Sequence, residues 1–281
     1  MQARVRGVKR SDMQPIAVEQ ALTSLSCDSN RLCAVTSEQK GICRSADASG
    51  WTTLTSLSLQ SISLSGERQW AVDTTGNIVW SHSNDSSAWS RLEIQPTPVV
   101  QVVSDGSLLC GFDAEGSVNC TSTQATTASS WFTPFSTKLK AIVVHNDRAA
   151  GISAANEAVF HGINDYGNPR QRLEALALDD SFLCVAEQST LEVSCVARSH
   201  ETWSKIDAKF EHMALCNATL YGLSRDGTLW ATSLTMAEPS VIDVTKSGAS
   251  AKVSILFACL WVTESSNAFN DEWCDSRALL S

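Results

Sequence analysis

A twelve-residue pattern recurs along this chain and leaves few folds open to it. Its clearest copy is Gln69-Trp70-Ala71-Val72-Asp73-Thr74-Thr75-Gly76-Asn77-Ile78-Val79-Trp80. The next is Leu109-Cys110-Gly111-Phe112-Asp113-Ala114-Glu115-Gly116-Ser117-Val118-Asn119-Cys120. Each alternates apolar and polar residues, turns through Asp-x-x-Gly, and alternates again. Period-two alternation belongs to a half-buried strand. The turn predicts a β-hairpin with a short loop whose last position is left-handed, a conformation glycine adopts without a Cβ penalty. The hairpin recurs from Cys33 to Cys43, Ala150 to Phe160, Cys184 to Cys195 and Tyr221 to Trp230, and a more irregular copy starts at Cys259.

The anchors 33, 70, 110, 150, 184, 221 and 259 lie 37, 40, 40, 34, 37 and 38 residues apart. An apolar residue six or so positions earlier (Leu64, Val103, Val144, Leu178, Leu215) marks a strand before each of five hairpins. Between hairpins stands a Trp-x-x-apolar signature: Trp51 with Leu54, Trp89 with Leu92, Trp131 with Pro134, Trp203 with Ile206. The fourth-to-fifth and sixth-to-seventh junctions lack this tryptophan. Each period therefore has room for four short strands, and a repeat of this length is about one propeller blade. The expectation is all-β: a β-propeller of about seven four-stranded blades, or six if the irregular last copy decorates the closure. The expected single domain spans residues 1–281, with repeats near 14–50, 51–88, 89–130, 131–168, 169–202, 203–239 and 240–281. The seventh copy ends near Cys274 without an outer strand, and residues 1–13, through Arg4–Lys9, are expected to supply it. Such closure would leave no open sheet edge.

Six of the ten cysteines occupy matched hairpin positions: 33 with 43, 110 with 120, 184 with 195. Where one position is cysteine, so is the other; otherwise the pair is Trp70 with Trp80 or Ala150 with Phe160. Residues facing each other across a hairpin lie within disulfide range, so three disulfides within hairpins are expected. Cys27, Cys216, Cys259 and Cys274 allow three pairings, of which Cys259 with Cys274 best repeats the hairpin pattern. Disulfides imply an oxidising compartment, so secretion is expected, with the numbering starting after a removed leader. The sequons at Asn84, Asn119 and Asn217 are compatible with a secreted glycoprotein.

The formal net charge of −9 repels phosphate backbones and argues against nucleic acid as a partner. No apolar run reaches the ~20 residues that span a bilayer. None of the five histidines has a second histidine or cysteine at metal-ligand spacing. There is no Gly-x-Ser-x-Gly elbow and no phosphate or dinucleotide loop, so neither an enzyme nor a cofactor is expected. Asp73 and Asp113 each offer a single carboxylate, which fits turn capping better than calcium.

Trp51, Trp89, Trp131 and Trp203 have two readings. They can wedge neighbouring blades together, or act as platforms whose flat faces suit sugar rings and whose indole N–H donates a hydrogen bond. Repeated weak sites would gain avidity on a glycan-coated surface.

The succession Trp-x-x-Leu, an apolar residue with serine, then Trp70-Ala71-Val72-Asp73-Thr74-Thr75-Gly76-Asn77-Ile78 resembles tectonin repeats, best over residues 51–130. Tectonin-type propellers have six or seven blades and include lectins. The resemblance therefore implies glycan or glycoprotein partners bound between blades, at Trp51, Trp89, Trp131 and Trp203. The paired hairpin cysteines depart from that family's pattern. The alternative expectation is a protein-interaction scaffold that uses one face of the disc and binds no sugar.

Overall fold

A computed structural model describes residues 5–236, apart from 46, 47, 49, 83–87, 94, 96, 97, 125–129, 147, 164–168, 170, 199 and 201. Apart from one 3-10 turn at Arg10–Asp12, all its regular structure is strand. After β1 (Gln14–Ile16), the chain builds antiparallel hairpins in regular succession. The first unit holds β2 (Leu22–Cys27), β3 (Arg31–Thr36), β4 (Lys40–Ser45) and the first part of β5 (Thr52–Ser65). The rest of β5 opens the second unit, followed by β6 (Arg68–Asp73), β7 (Ile78–His82) and β8 (Ser90–Arg91), so that β2 to β8 form one seven-stranded sheet. The third holds β9 (Gln101–Ser104), β10 (Leu108–Phe112) and β11 (Val118–Ser122), and the fourth β12 (Leu139–His145), β13 (Arg148–Ser153) and β14 (Ala158–His161). The fifth holds β15 (Leu173–Leu178), β16 (Phe182–Glu187), β17 (Glu192–Ala197) and β18 (Ser204–Lys209). β19 (His212–Cys216), β20 (Thr219–Leu223) and β21 (Leu229–Ser233) make the sixth, to which β1 adds as its outer strand.

The hairpins lie where the repeat put them. Cys33 faces Cys43, Trp70 faces Trp80, Cys110 faces Cys120, Ala150 faces Phe160 and Cys184 faces Cys195. Glycine takes the left-handed turn position at Gly76, Gly116 and Gly227, while Gln39, Asn156 and Leu191 take it in the other three hairpins. The extra residue between Cys184 and Cys195 sits in the turn, since β16 and β17 pair without a shift.

One expectation needs correction among the described residues, and two fall outside them. Among the described residues the third and fourth sheets have three strands, not four, and the bridge of Cys120 to Phe132 extends the third. The strand that pairs with the last described sheet is Gln14–Ile16, along β21, whereas Arg4–Lys9 is expected to close the seventh copy, which lies outside the described residues. Val5 bridges Met236, and Val8 accepts a bond from the Asp207 N–H. The copy anchored at Cys259 lies outside the described residues.

The core is divided among the junctions between units. Six clusters of buried side chains each combine residues of neighbouring units, and one joins Leu22, Leu32 and Ala34 of the first unit to Leu223 and Leu229 of the sixth. A shared register explains them. Eleven positions before each anchor stand Leu22, Leu59, Val99, Leu139, Leu173 and Phe210, all buried. One position after each anchor stands a small residue in five cases: Ala34, Ala71, Gly111, Gly151 and Gly222. At Gly111, Gly151 and Gly222 an added Cβ would collide with Val99, Leu139 and Phe210 respectively. Small residues on the second strand thus make room for the large one that opens the inner strand. The same large residues dock backwards: the N–H groups of Leu59, Val99, Leu139, Leu173 and Phe210 donate to the carbonyls of Gln39, Gly76, Gly116, Asn156 and Leu191. Those carbonyls belong to the left-handed residues of the preceding hairpins.

Candidate functional site

The inner strands β2, β5, β9, β12, β15 and β19 adjoin one another in that order, and β19 adjoins β2. All six line a cavity of about 750 Å³. Serine hydroxyls hold the first three together. Ser26 Oγ accepts the Leu64 N–H at 2.8 Å, Ser61 Oγ the Val102 N–H at 3.0 Å and Ser63 Oγ the Ser104 N–H at 2.8 Å.

At the starts of the inner strands the cavity lining includes Gln60, Gln101, Lys140, Glu174, Glu211 and His212. Burial pushes the His212 pKa down, against the opposing pull of Glu211 and Glu174. At the far ends the chain turns into each second strand, and Ser29, Asn30, Gly66, Glu67, Gly106, Ser107, Asn146, Asp180 and Asn217 form exposed turn tips. Three of these turns are fixed by an aspartate. Asp28 Oδ1 accepts the N–H groups of Asn30 and Arg31 at 2.9 and 2.8 Å. Asp105 Oδ1 does the same for Ser107 and Leu108, and Asp179 Oδ1 for Ser181 and Phe182.

Neighbouring turns are also tied to each other. Arg31 pairs with Asp28 at 2.7 Å and donates to Gln69 Oε1; Arg68 donates to the Thr123 carbonyl and lies 4.9 Å over the Trp80 ring. Asp180 approaches His145 at 3.2 Å and Arg148 at 3.5 Å. Burial alone would raise the Asp180 pKa, but hydrogen bonds from His145 and Asn146 and the charges of His145 and Arg148 hold it below the usual value. Asp179 Oδ2 accepts the Ala218 N–H. The aspartates and arginines of this rim went unrecognised in the sequence, although Arg31, Arg68 and Arg148 all stand two positions before an anchor.

The predicted tryptophans are not gathered into one site. Each is partly buried against a different cluster: Trp51 on that of Leu22 and Leu229, Trp89 on that of Leu54 and Leu59, Trp131 on that of Val99 and Leu109, Trp203 on that of Leu173 and Leu183. None lines the large cavity. Trp51 Nε1 donates to the Ala17 carbonyl at 3.0 Å, whereas the buried Trp203 Nε1 has no partner among the described residues.

Disulfides join Cys33 to Cys43, Cys110 to Cys120 and Cys184 to Cys195, each with Cα atoms 4.0–4.1 Å apart. A fourth joins Cys27 to Cys216, resolving a pairing that the sequence left open; Cys259 and Cys274 lie outside the described residues. Four disulfides point to an oxidising compartment. Of the sequons, Asn217 is an exposed turn tip, Asn119 accepts a bond from Thr133, and Asn84 lies outside the described residues. Asp73 and Asp113 cap their own turns, Asp73 taking the N–H groups of Thr75 and Asn77 and Asp113 those of Glu115 and Ser117. Among the described residues no three His, Cys, Asp or Glu side chains cluster as metal ligands, and no helix is long and apolar enough to cross a membrane.

No protein-family model matches the chain, and no curated protein sequence matches it. Solved structures do. Human WBSCR16 is similar with a TM-score of 0.56 at 8% identity, over 78% of each chain. The β-propeller domain of Cps50 (Swd1) from Myceliophteria thermophila gives 0.55 at 11% identity, over 82% of this chain and 96% of that one. Prp20p from Saccharomyces cerevisiae, described together with its binding to Gsp1p and histones, gives 0.54 at 9% identity, over 74% and 70%. At such identities the likeness is one of fold. This chain folds as a β-propeller built from short antiparallel sheets.

Proposed function

We propose that the chain is a protein-binding propeller, a non-catalytic scaffold that receives its partner on the rim of turn tips at the far ends of the inner strands. In this reading the six described units form a six-bladed ring, closed between the first and last units by β1 and the Cys27–Cys216 bond, and the protein is secreted. The observation that carries the reading is the rim itself. Exposed hydrogen-bonding groups stand on turns already fixed by Asp28, Asp105 and Asp179, and a surface that loses little freedom on binding keeps more of its contact energy. The binding of Gsp1p and histones by the similar Prp20p supports the same use of the fold. The junction tryptophans serve as wedges in this account.

The test is capture of partners on the immobilised, oxidised protein, with Asn30→Arg and Glu67→Lys as rim variants. Glu67 is exposed, and the Asn30 backbone rather than its side chain makes the turn. Both variants should melt like the parent, and a partner that binds the rim should be retained at least about tenfold less, a loss of roughly 1.4 kcal/mol. Retention unchanged by both variants, or release of the captured material by free monosaccharide, would overturn the reading.

A further inference from the structure

A second cavity, of about 520 Å³, lies where the first unit meets the sixth. One wall carries Arg44 from β4, the other carries Tyr221 from β20, and Arg6 and Asp12 of the amino-terminal segment complete it. Its chemistry runs against that of the chain. In a protein of net charge −9, this lining brings together two arginines and a phenol with a single carboxylate. That carboxylate is already engaged, accepting the Lys9 N–H at 3.3 Å and the Ser11 hydroxyl at 3.2 Å.

The donors, by contrast, are underused. Among the described residues Arg44 gives one bond, from Nη2 to the Ala48 carbonyl at 2.7 Å, and its guanidinium lies 6.0 Å from the Trp51 ring centre. A guanidinium carries five N–H donors, so most of that capacity meets no acceptor among the described residues. The Arg6 backbone is pinned by its N–H bond to the Thr235 carbonyl at 2.7 Å, while its side chain makes no hydrogen bond or ion pair among the described residues. The Tyr221 hydroxyl likewise has no partner among them. Burial pushes the Tyr221 pKa up while the Arg44 charge works against it, so the phenol stays a neutral donor at physiological pH. Arg44 follows Cys43, whose disulfide to Cys33 fixes the strand, so the site is held before any ligand arrives.

Several donors around a cavity of small-molecule size, with its one carboxylate already engaged, make a receptor for an anionic group rich in acceptors. We propose that this cavity binds an anionic group, a carboxylate or a phosphate ester, held by Arg44, Arg6 and the Tyr221 hydroxyl. The site is separate from the rim and stands or falls independently of it.

Fluorine NMR of three small probes tests the assignment: para-fluorobenzoate, para-fluorophenyl phosphate and the neutral para-fluorobenzyl alcohol. The parent protein should broaden the signal of at least one anionic probe and leave the alcohol sharp, and the better anion identifies the ligand as carboxylate or phosphate. Arg44→Gln should weaken that binding about tenfold and Arg6→Gln about threefold, the scale of one charge-assisted bond lost and one exposed charge lost. Both should retain the parent's melting temperature. The exposed, unengaged Arg6 side chain carries the test should Arg44→Gln fail to fold. Equal binding of the alcohol, binding unchanged in the arginine variants, or no binding of either anion would overturn the proposal.

Discussion

Gln39, Asn156 and Leu191 occupy the left-handed position that glycine takes at Gly76, Gly116 and Gly227. A side chain there is strained by roughly 1 kcal/mol. Gln39 is exposed, with no burial to lose, so Gln39→Gly should stabilise the protein by up to about 1 kcal/mol, less the entropy gained by its unfolded chain. Thermal unfolding of the variant measures this, and a lowered midpoint would count against the turn geometry. Asp73 governs the neighbouring hairpin through pH. Burial alone would raise its pKa, but bonds from the Asn77 and Thr75 backbones and side chains outweigh that and lower it. The folded value thus lies below the unfolded value of about 3.9, so its contribution to stability is complete above pH ~4 and is lost as pH falls through the folded value. Asp73→Asn should flatten the melting profile in that acidic window and leave its slope near neutrality unchanged.

Strands and hairpins were legible because their signals are local: period-two alternation, a turn residue, and cysteines that appear only in matched pairs. The junctions were less so. The small residues at 34, 71, 111, 151 and 222 and the large ones at 22, 59, 99, 139, 173 and 210 are visible in the sequence, but they acquire meaning only once strand pairing places one against the other. The third sheet's lack of a fourth strand was not legible because Trp131 and the length of the period implied an outer strand where, among the described residues, the chain makes the bridge at Phe132. The cavity and rim were not legible at all, since they gather residues one repeat apart. Packing across the junctions gives two predictions. Gly222→Ala forces a Cβ into the buried Phe210 ring and should destabilise by about 1–3 kcal/mol. Trp89→Ala should cost about 2 kcal/mol as a half-buried wedge, below the 3–5 of a fully buried aromatic. Denaturant unfolding reads both, and a Trp89→Ala variant of parental stability would return that residue to the platform reading.

At the scale of all the described residues, the join between the first and sixth units differs from the others. Five junctions share the bond from the opening residue of an inner strand to a left-handed carbonyl, but among the described residues none links Leu22 to Gly227. An added Cβ at Gly227 would meet nothing within 4 Å, whereas at Gly76 and Gly116 the next unit presses close. The join is held instead by β1 along β21 and by Cys27–Cys216, which closes 189 residues of chain. Loop-closure entropy makes that bond worth roughly 5 kcal/mol, against about 3 for a hairpin disulfide. The Cys27→Ser, Cys216→Ser double variant should therefore lose more stability than the Cys33→Ser, Cys43→Ser pair. Disulfide mapping of the native protein tests this closure most directly, by mass spectrometry of peptides cut without reduction. The account predicts a linked peptide pair containing Cys27 and Cys216. Either cysteine found free, or joined to Cys259 or Cys274, would contradict it.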